Sequence, residues 1–80
     1  MKEELLLNMD KIHTSYPGMD RISKNLNINR SDVIKYCKDI ILNKESTVYK
    51  KGKNYYAELS DIKLTINSYT FTIITAHKLK

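Results

Sequence analysis

The side chains able to do chemistry in this chain are few, and they suit one reaction. They are His13 and His77, Arg21 on a helical stretch, and the hydroxyl-rich segment that includes Thr75. Histidine gives or takes a proton near neutral pH. A guanidinium fork steadies a phosphate as charge builds on it. This set matches metal-independent cleavage of RNA: a base removes the 2′-hydroxyl proton, an acid protonates the 5′-oxygen, and a cation holds the phosphate. Arg21 and Asn25 are four residues apart and share a helix face. Thr75 and His77 are two apart and share a sheet face. The expected catalytic set is therefore His13, Arg21, Thr75 and His77. Asn25, Lys51, Lys53, Tyr55 and Lys78 are the expected nucleic-acid contacts, with strand tyrosines stacking on bases.

Each of these has a plainer reading. His13 follows a helix, where the dipole favours it whatever its function. His77 lies near the chain end and can simply fray. Arg21 serves equally well to solvate a helix, and strand tyrosines commonly cover a small core.

Other chemistries find no footing. The single cysteine, Cys37, lies on an apolar helical stripe, which makes it a core residue. One cysteine allows no disulfide within the chain, which fits a reducing, cytoplasmic setting. The two histidines are far apart and have no cysteine near them, so no zinc spacing exists. Gly18 and Gly52 are the only glycines, too few for a phosphate-cradling loop or a dinucleotide fingerprint. Neither a metal nor a cofactor is expected.

The 80 residues make one domain, with a formal net charge of +5. Residues 1–42 hold 7 basic and 6 acidic groups, while residues 43–80 hold 7 basic and 3 acidic. A basic second half favours RNA or another polyanion as partner, although lysine-rich surfaces also serve solubility. A protein partner (an antitoxin or a host factor) and a homodimer stand as further expectations. No stretch approaches the ~20 apolar residues of a membrane span, and the start of the chain does not read as a signal peptide.

The elements that must position this chemistry follow from periodicity. Leu5, Leu6, Met9 and Ile12 predict a helix over 2–12, and Tyr16-Pro17-Gly18 falls in the loop after it. Met19, Ile22 and Leu26 predict a second helix of about two turns. Val33, Ile34, Cys37, Ile40 and Ile41 predict a third, with Asn29 or Ser31 as its cap. From Asn43 onward the period changes to two. Strands are predicted over 46–51, 54–59, about 62–67 and 70–77, the first pair joined by the turn Lys51-Gly52-Lys53-Asn54. The expected architecture is α+β: helices in 1–43, packed on one face of a four-stranded antiparallel sheet in 44–80.

The pattern Ile12-His13-Thr14, Gly18, Arg21-Ile22, Asn25-Leu26, Asp32-Val33 and Tyr36-Cys37-Lys38 resembles a family of short bacterial and phage proteins known only as a domain of unknown function. Lys51-Gly52-Lys53-Asn54-Tyr55-Tyr56, Thr65-Ile66-Asn67 and Ile73-Ile74-Thr75-Ala76-His77-Lys78 carry the likeness through the second half. Tyr16-Pro17 departs from that family's usual Glu-Leu, removing a carboxylate from the loop, and Tyr55 stands where Trp is common. More distantly, a histidine ahead of an Arg-Ile helix and a meander ending in Ile-Ile-Thr resemble the barnase, colicin and RelE superfamily of small RNases, many of them toxins. That likeness implies catalytic or phosphate-binding roles for His13, Arg21, Thr75 and His77.

Two alternatives stay open. Residues 19–42 with the 46–59 hairpin also read as a winged helix. Arg30, Lys35 and Lys38 would then face DNA, flanked by Lys50, Lys51 and Lys53. The other alternative is a phage or mobile-element protein that sequesters a host factor or a nucleotide.

Overall fold

The structure is a computed structural model, and it describes residues 2–79. Three helices come first: α1 (Lys2–Leu7), α2 (Tyr16–Leu26) and α3 (Val33–Leu42). Four strands follow: β1 (Thr47–Lys51), β2 (Asn54–Leu59), β3 (Ile62–Asn67) and β4 (Ile73–Lys78). The strands form one antiparallel meander in the order β1-β2-β3-β4. The expected α+β fold is what is observed.

Alternation along each strand divides the sheet into an inner and an outer face. Tyr55, Ala57, Leu64, Ile66, Ile73 and Ala76 point inward and are buried with Leu5, Ile22, Leu26, Val33, Cys37, Ile40 and Ile41 of the helices. Cys37 has no exposed surface, and burial pushes its thiol from the ordinary 9.0 up to about 12. A thiol pKa raised by folding contributes stability that is intact below pH 9 and lost as pH climbs toward 12. Disulfide-exchange reagent at pH 8 is therefore expected to leave the native thiol unreacted and to label it fully in denaturant; rapid labelling of the native protein would put Cys37 outside the core.

The elements depart from periodicity where side chains rewire the backbone. The helix expected over 2–12 stops at Leu7 and continues as a 3₁₀ turn, Met9–Lys11. At the break, the Asn8 side-chain amide donates to the Glu4 carbonyl, the local competition that makes Asn a poor mid-helix residue. Tyr16-Pro17-Gly18 is not loop but the first turn of α2. Ser15 Oγ caps that turn by accepting the Gly18 N–H at 3.1 Å, and proline fits where the N–H needs no helical partner. Neither Asn29 nor Ser31 caps α3 through its side chain; a 3₁₀ turn, Arg30–Asp32, leads into it instead. Ser46 lies outside β1, because its hydroxyl donates to the Asn43 carbonyl at the end of α3.

The last strand also starts later than expected. Residues 68–71 form a four-residue loop closed by the Asn67 N–H donating to the Thr72 carbonyl at 2.9 Å. Asn67 Oδ1 accepts the N–H groups of Tyr69 and Thr70. Phe71 takes the left-handed conformation, φ 59°, which is costly for a bulky side chain and is held by its surroundings. A register shift near Ile66 then makes Ile73 face inward and leaves Ile74 exposed.

Candidate functional site

His13 sits at the free edge of β4, paired with it as a short parallel bridge to Thr72. Its N–H donates to the Phe71 carbonyl at 3.2 Å, and its carbonyl accepts the Ile73 N–H at 2.7 Å. Thr14 adds a hydroxyl hydrogen bond to the Ile73 carbonyl at 2.9 Å. Backbone bonding therefore holds His13 in place, and its side chain emerges on the outer face beside Thr72.

The ring is oriented by its own bonds. Nδ1 lies 2.8 Å from the Lys11 carbonyl. A carbonyl only accepts, so in the neutral imidazole Nδ1 carries the hydrogen and Nε2 keeps its lone pair. Nε2 lies 3.1 Å from Thr72 Oγ1, which is 2.7 Å from Thr70 Oγ1. The result is a base held by a carbonyl and facing a hydroxyl chain, the arrangement by which a side chain is readied to accept a proton.

Helix α2 lies along the same edge. A Cβ at Gly18 would come within 2.6 Å of Thr14 Oγ1 and 3.9 Å of the Ile73 carbonyl oxygen. Glycine here leaves room for the Thr14 hydroxyl, which bonds the Ile73 carbonyl, while the strand itself lies at ordinary contact distance. At the other end Asn25 Nδ2 donates to the Ala76 carbonyl at 3.2 Å. Arg21 stands on the turn between them, exposed, and makes no hydrogen bond or ion pair among the described residues. The side chain of Asn25, expected to meet nucleic acid, ties α2 to β4 through its Nδ2, and the residue is exposed.

The other expected residues fall in three places. Thr75 and His77 face outward on β4, opposite Thr65 and Lys63. His77 is five residues beyond Thr72, so roughly 15 Å of strand separates the two histidines; they share a face but do not touch. Lys51 and Lys53 are exposed at the β1–β2 turn, where Gly52 supplies the positive φ of 63°. Lys78 is exposed at the end of β4, opposite Ile62. Tyr55 corrects the expectation: only 3% exposed, it packs in the core, and its hydroxyl donates to the Glu4 carboxylate at 2.8 Å. It has no open ring face for a base.

The outer face carries further side chains beside Thr75 and His77. Tyr49, Tyr56, Thr65 and Thr75 form one row across the four strands, and Thr47, Glu58, Lys63 and His77 form the next. The Tyr49 and Tyr56 rings stack at 5.3 Å, and Lys63 Nζ lies 4.8 Å from the Tyr56 centroid. The Tyr49 hydroxyl donates to Glu58 at 2.6 Å, and that bond holds its pKa above the ordinary value. A signal for this face was present: polar Asn54 and Glu58 share parity with Tyr56, not with Tyr55.

On the helical side, Arg30 pairs with Asp20 at 2.6 Å and Lys35 with Asp39 at 3.0 Å. The surface that a winged helix would turn to DNA is thus partly charge-compensated. No group of three or more histidine, cysteine or acidic side chains is placed to hold a metal among the described residues, and none of their helices is long and apolar enough to cross a membrane.

Residues 6–77 match the family model described as a protein of unknown function, DUF3781. The chain belongs to the DUF3781 family. No curated protein and no solved structure matches it. In this DUF3781 member the matched span contains His13, Arg21, Thr72, Thr75 and His77, together with the whole outer face of the sheet.

Proposed function

We propose that this protein cleaves RNA without a metal, at the sheet edge where His13 meets Thr72. The observation that carries the reading is the fixed His13 ring, with Nδ1 on the Lys11 carbonyl and Nε2 turned to the outer face. Arg21 on the adjoining helix, exposed and without a hydrogen bond or ion pair among the described residues, supports it, as does the distant resemblance to the barnase, colicin and RelE-like RNases. In the reaction His13 Nε2 takes the proton of a ribose 2′-hydroxyl. The 2′-oxygen attacks phosphorus, the P–O5′ bond breaks, and the departing 5′-oxygen takes a proton from water. Arg21 neutralises the charge that builds on the non-bridging oxygens. The products are a 2′,3′-cyclic phosphate and a 5′-hydroxyl.

The test is incubation of end-labelled RNA with the protein in excess EDTA. Fragments ending in cyclic phosphate are the expected result. Intact RNA, or cleavage that EDTA abolishes, overturns the reading.

A further inference from the structure

We infer that the outer face of the sheet is the binding path of single-stranded RNA, with Tyr56 as its stacking platform and Lys63 as its phosphate contact. The inference rests on the RNA reading above but uses different residues. Helices cover the inner face only: the buried cluster joins α1, α2 and α3 to Tyr55, Ala57, Leu64, Ile66, Ile73 and Ala76. The opposite face, by strand alternation, presents the Tyr49 and Tyr56 rings on β1 and β2, with Lys51, Lys63 and His77 around them. Glu58 is the one carboxylate among the outward strand positions; it accepts the Tyr49 hydroxyl, keeps its charge, and stands opposite Lys63 on β3. Lys51 and Lys63 against Glu58 leave the face net positive beside its two stacked rings, which is the makeup of a single-strand platform.

Magnitudes decide what happens when a base arrives. Lys63 covers Tyr56 in the free protein, but an exposed cation–π contact is weak beside base–aromatic stacking. A base displaces the ammonium from the ring, and the freed ammonium meets the strand's phosphate. A duplex cannot do this, because its bases are not free to stack on a side chain. Thr65 and Thr75 continue the Tyr49–Tyr56 row to the edge strand. Further along the same strand edge lies Thr72 with His13.

The test uses a fluorescent 2′-O-methyl oligouridylate, which the cleavage chemistry cannot consume, read by anisotropy at several salt concentrations. Tyr56→Ala is expected to weaken binding about 5- to 150-fold, and Tyr56→Phe to leave it within about twofold, since the ring does the stacking. Lys63→Gln is expected to lower the salt slope by roughly 0.7. Thermal melts confirm that these outward substitutions leave the fold intact. Unchanged affinity in Tyr56→Ala overturns the inference, as does tighter binding to a duplex or equal binding to DNA of the same sequence. A dimer in sedimentation that Tyr56→Ala dissolves overturns it too, by assigning the face to a second copy. Loss of cleavage with binding retained removes the cleavage reading and leaves this one standing; retained cleavage by a protein that binds no oligonucleotide does the reverse.

Discussion

Ile66→Ala is expected to lower stability by about 2–5 kcal/mol, toward the upper end. Ile66 has no exposed surface and sits in β3, an inner strand, between Tyr55 on β2 and Ile73 on β4. Truncation removes its buried methyl and methylene groups and opens a cavity that a sheet paired on both sides cannot close. A chain of 80 residues has roughly 4–12 kcal/mol of folding free energy in total. A loss of about 4 kcal/mol lowers Tm by roughly 15–30 °C, which a thermal melt by circular dichroism reads directly. Ile74→Ala is the control. Ile74 is 40% exposed because the register shift turns it out, and its truncation is expected to cost less than about 1 kcal/mol. Equal losses in the two variants would mean that the shift is misplaced.

This pair of isoleucines also marks how far the sequence could be read. Wherever one face is buried and pairing is regular, parity decides which side chains point inward, and residues 54–67 follow it. Tyr55 has the residue type of a base-stacking contact, but its parity with Ala57 and Leu59 places it in the core. Ile73-Ile74 carries no such cue. A shift of register adds a residue without altering composition, and only its partner strand reveals it.

Helix ends were harder to read than helices, for a local reason. Leu5, Met9 and Ile12 keep helical spacing across Asn8, yet the Asn8 side chain bonds the Glu4 carbonyl and the helix gives way there. Tyr16-Pro17-Gly18 looks like punctuation until Ser15 is seen to cap it. The candidate site was legible as residue types and hidden as geometry. His13 and Thr72 are 59 residues apart, and no periodicity links them. What joins them is a parallel bridge of backbone hydrogen bonds, beside a loop in which Phe71 takes the left-handed conformation. Two of the four expected catalytic residues, His13 and Arg21, lie at that edge. Thr75 and His77 extend along the outer face beyond it.

That division leads to the second large effect. His13→Ala is expected to reduce metal-independent RNA cleavage by about 10²- to 10⁴-fold, the usual worth of a positioned general base. The fold is expected to survive, because the bridge to β4 is made by the His13 backbone N–H and carbonyl, which alanine retains. Thr14 still bonds Ile73 and Ser15 still caps α2. What alanine removes is the link from the Lys11 carbonyl to Thr72, on an exposed surface where each hydrogen bond is worth roughly 1 kcal/mol. A melting temperature within a few degrees of wild type, with cleavage lost, therefore separates chemistry from structure. Added imidazole is expected to restore part of the rate, since it returns a proton acceptor to the same pocket of space; a merely structural histidine would show no rescue. His77→Ala, one row beyond the tyrosines, is expected to raise KM with little change in kcat, because uniform binding is what it would remove. If His77→Ala instead lowers kcat as far as His13→Ala does, the reacting phosphate lies over the middle of the sheet, and Thr72 is only a neighbour of the base.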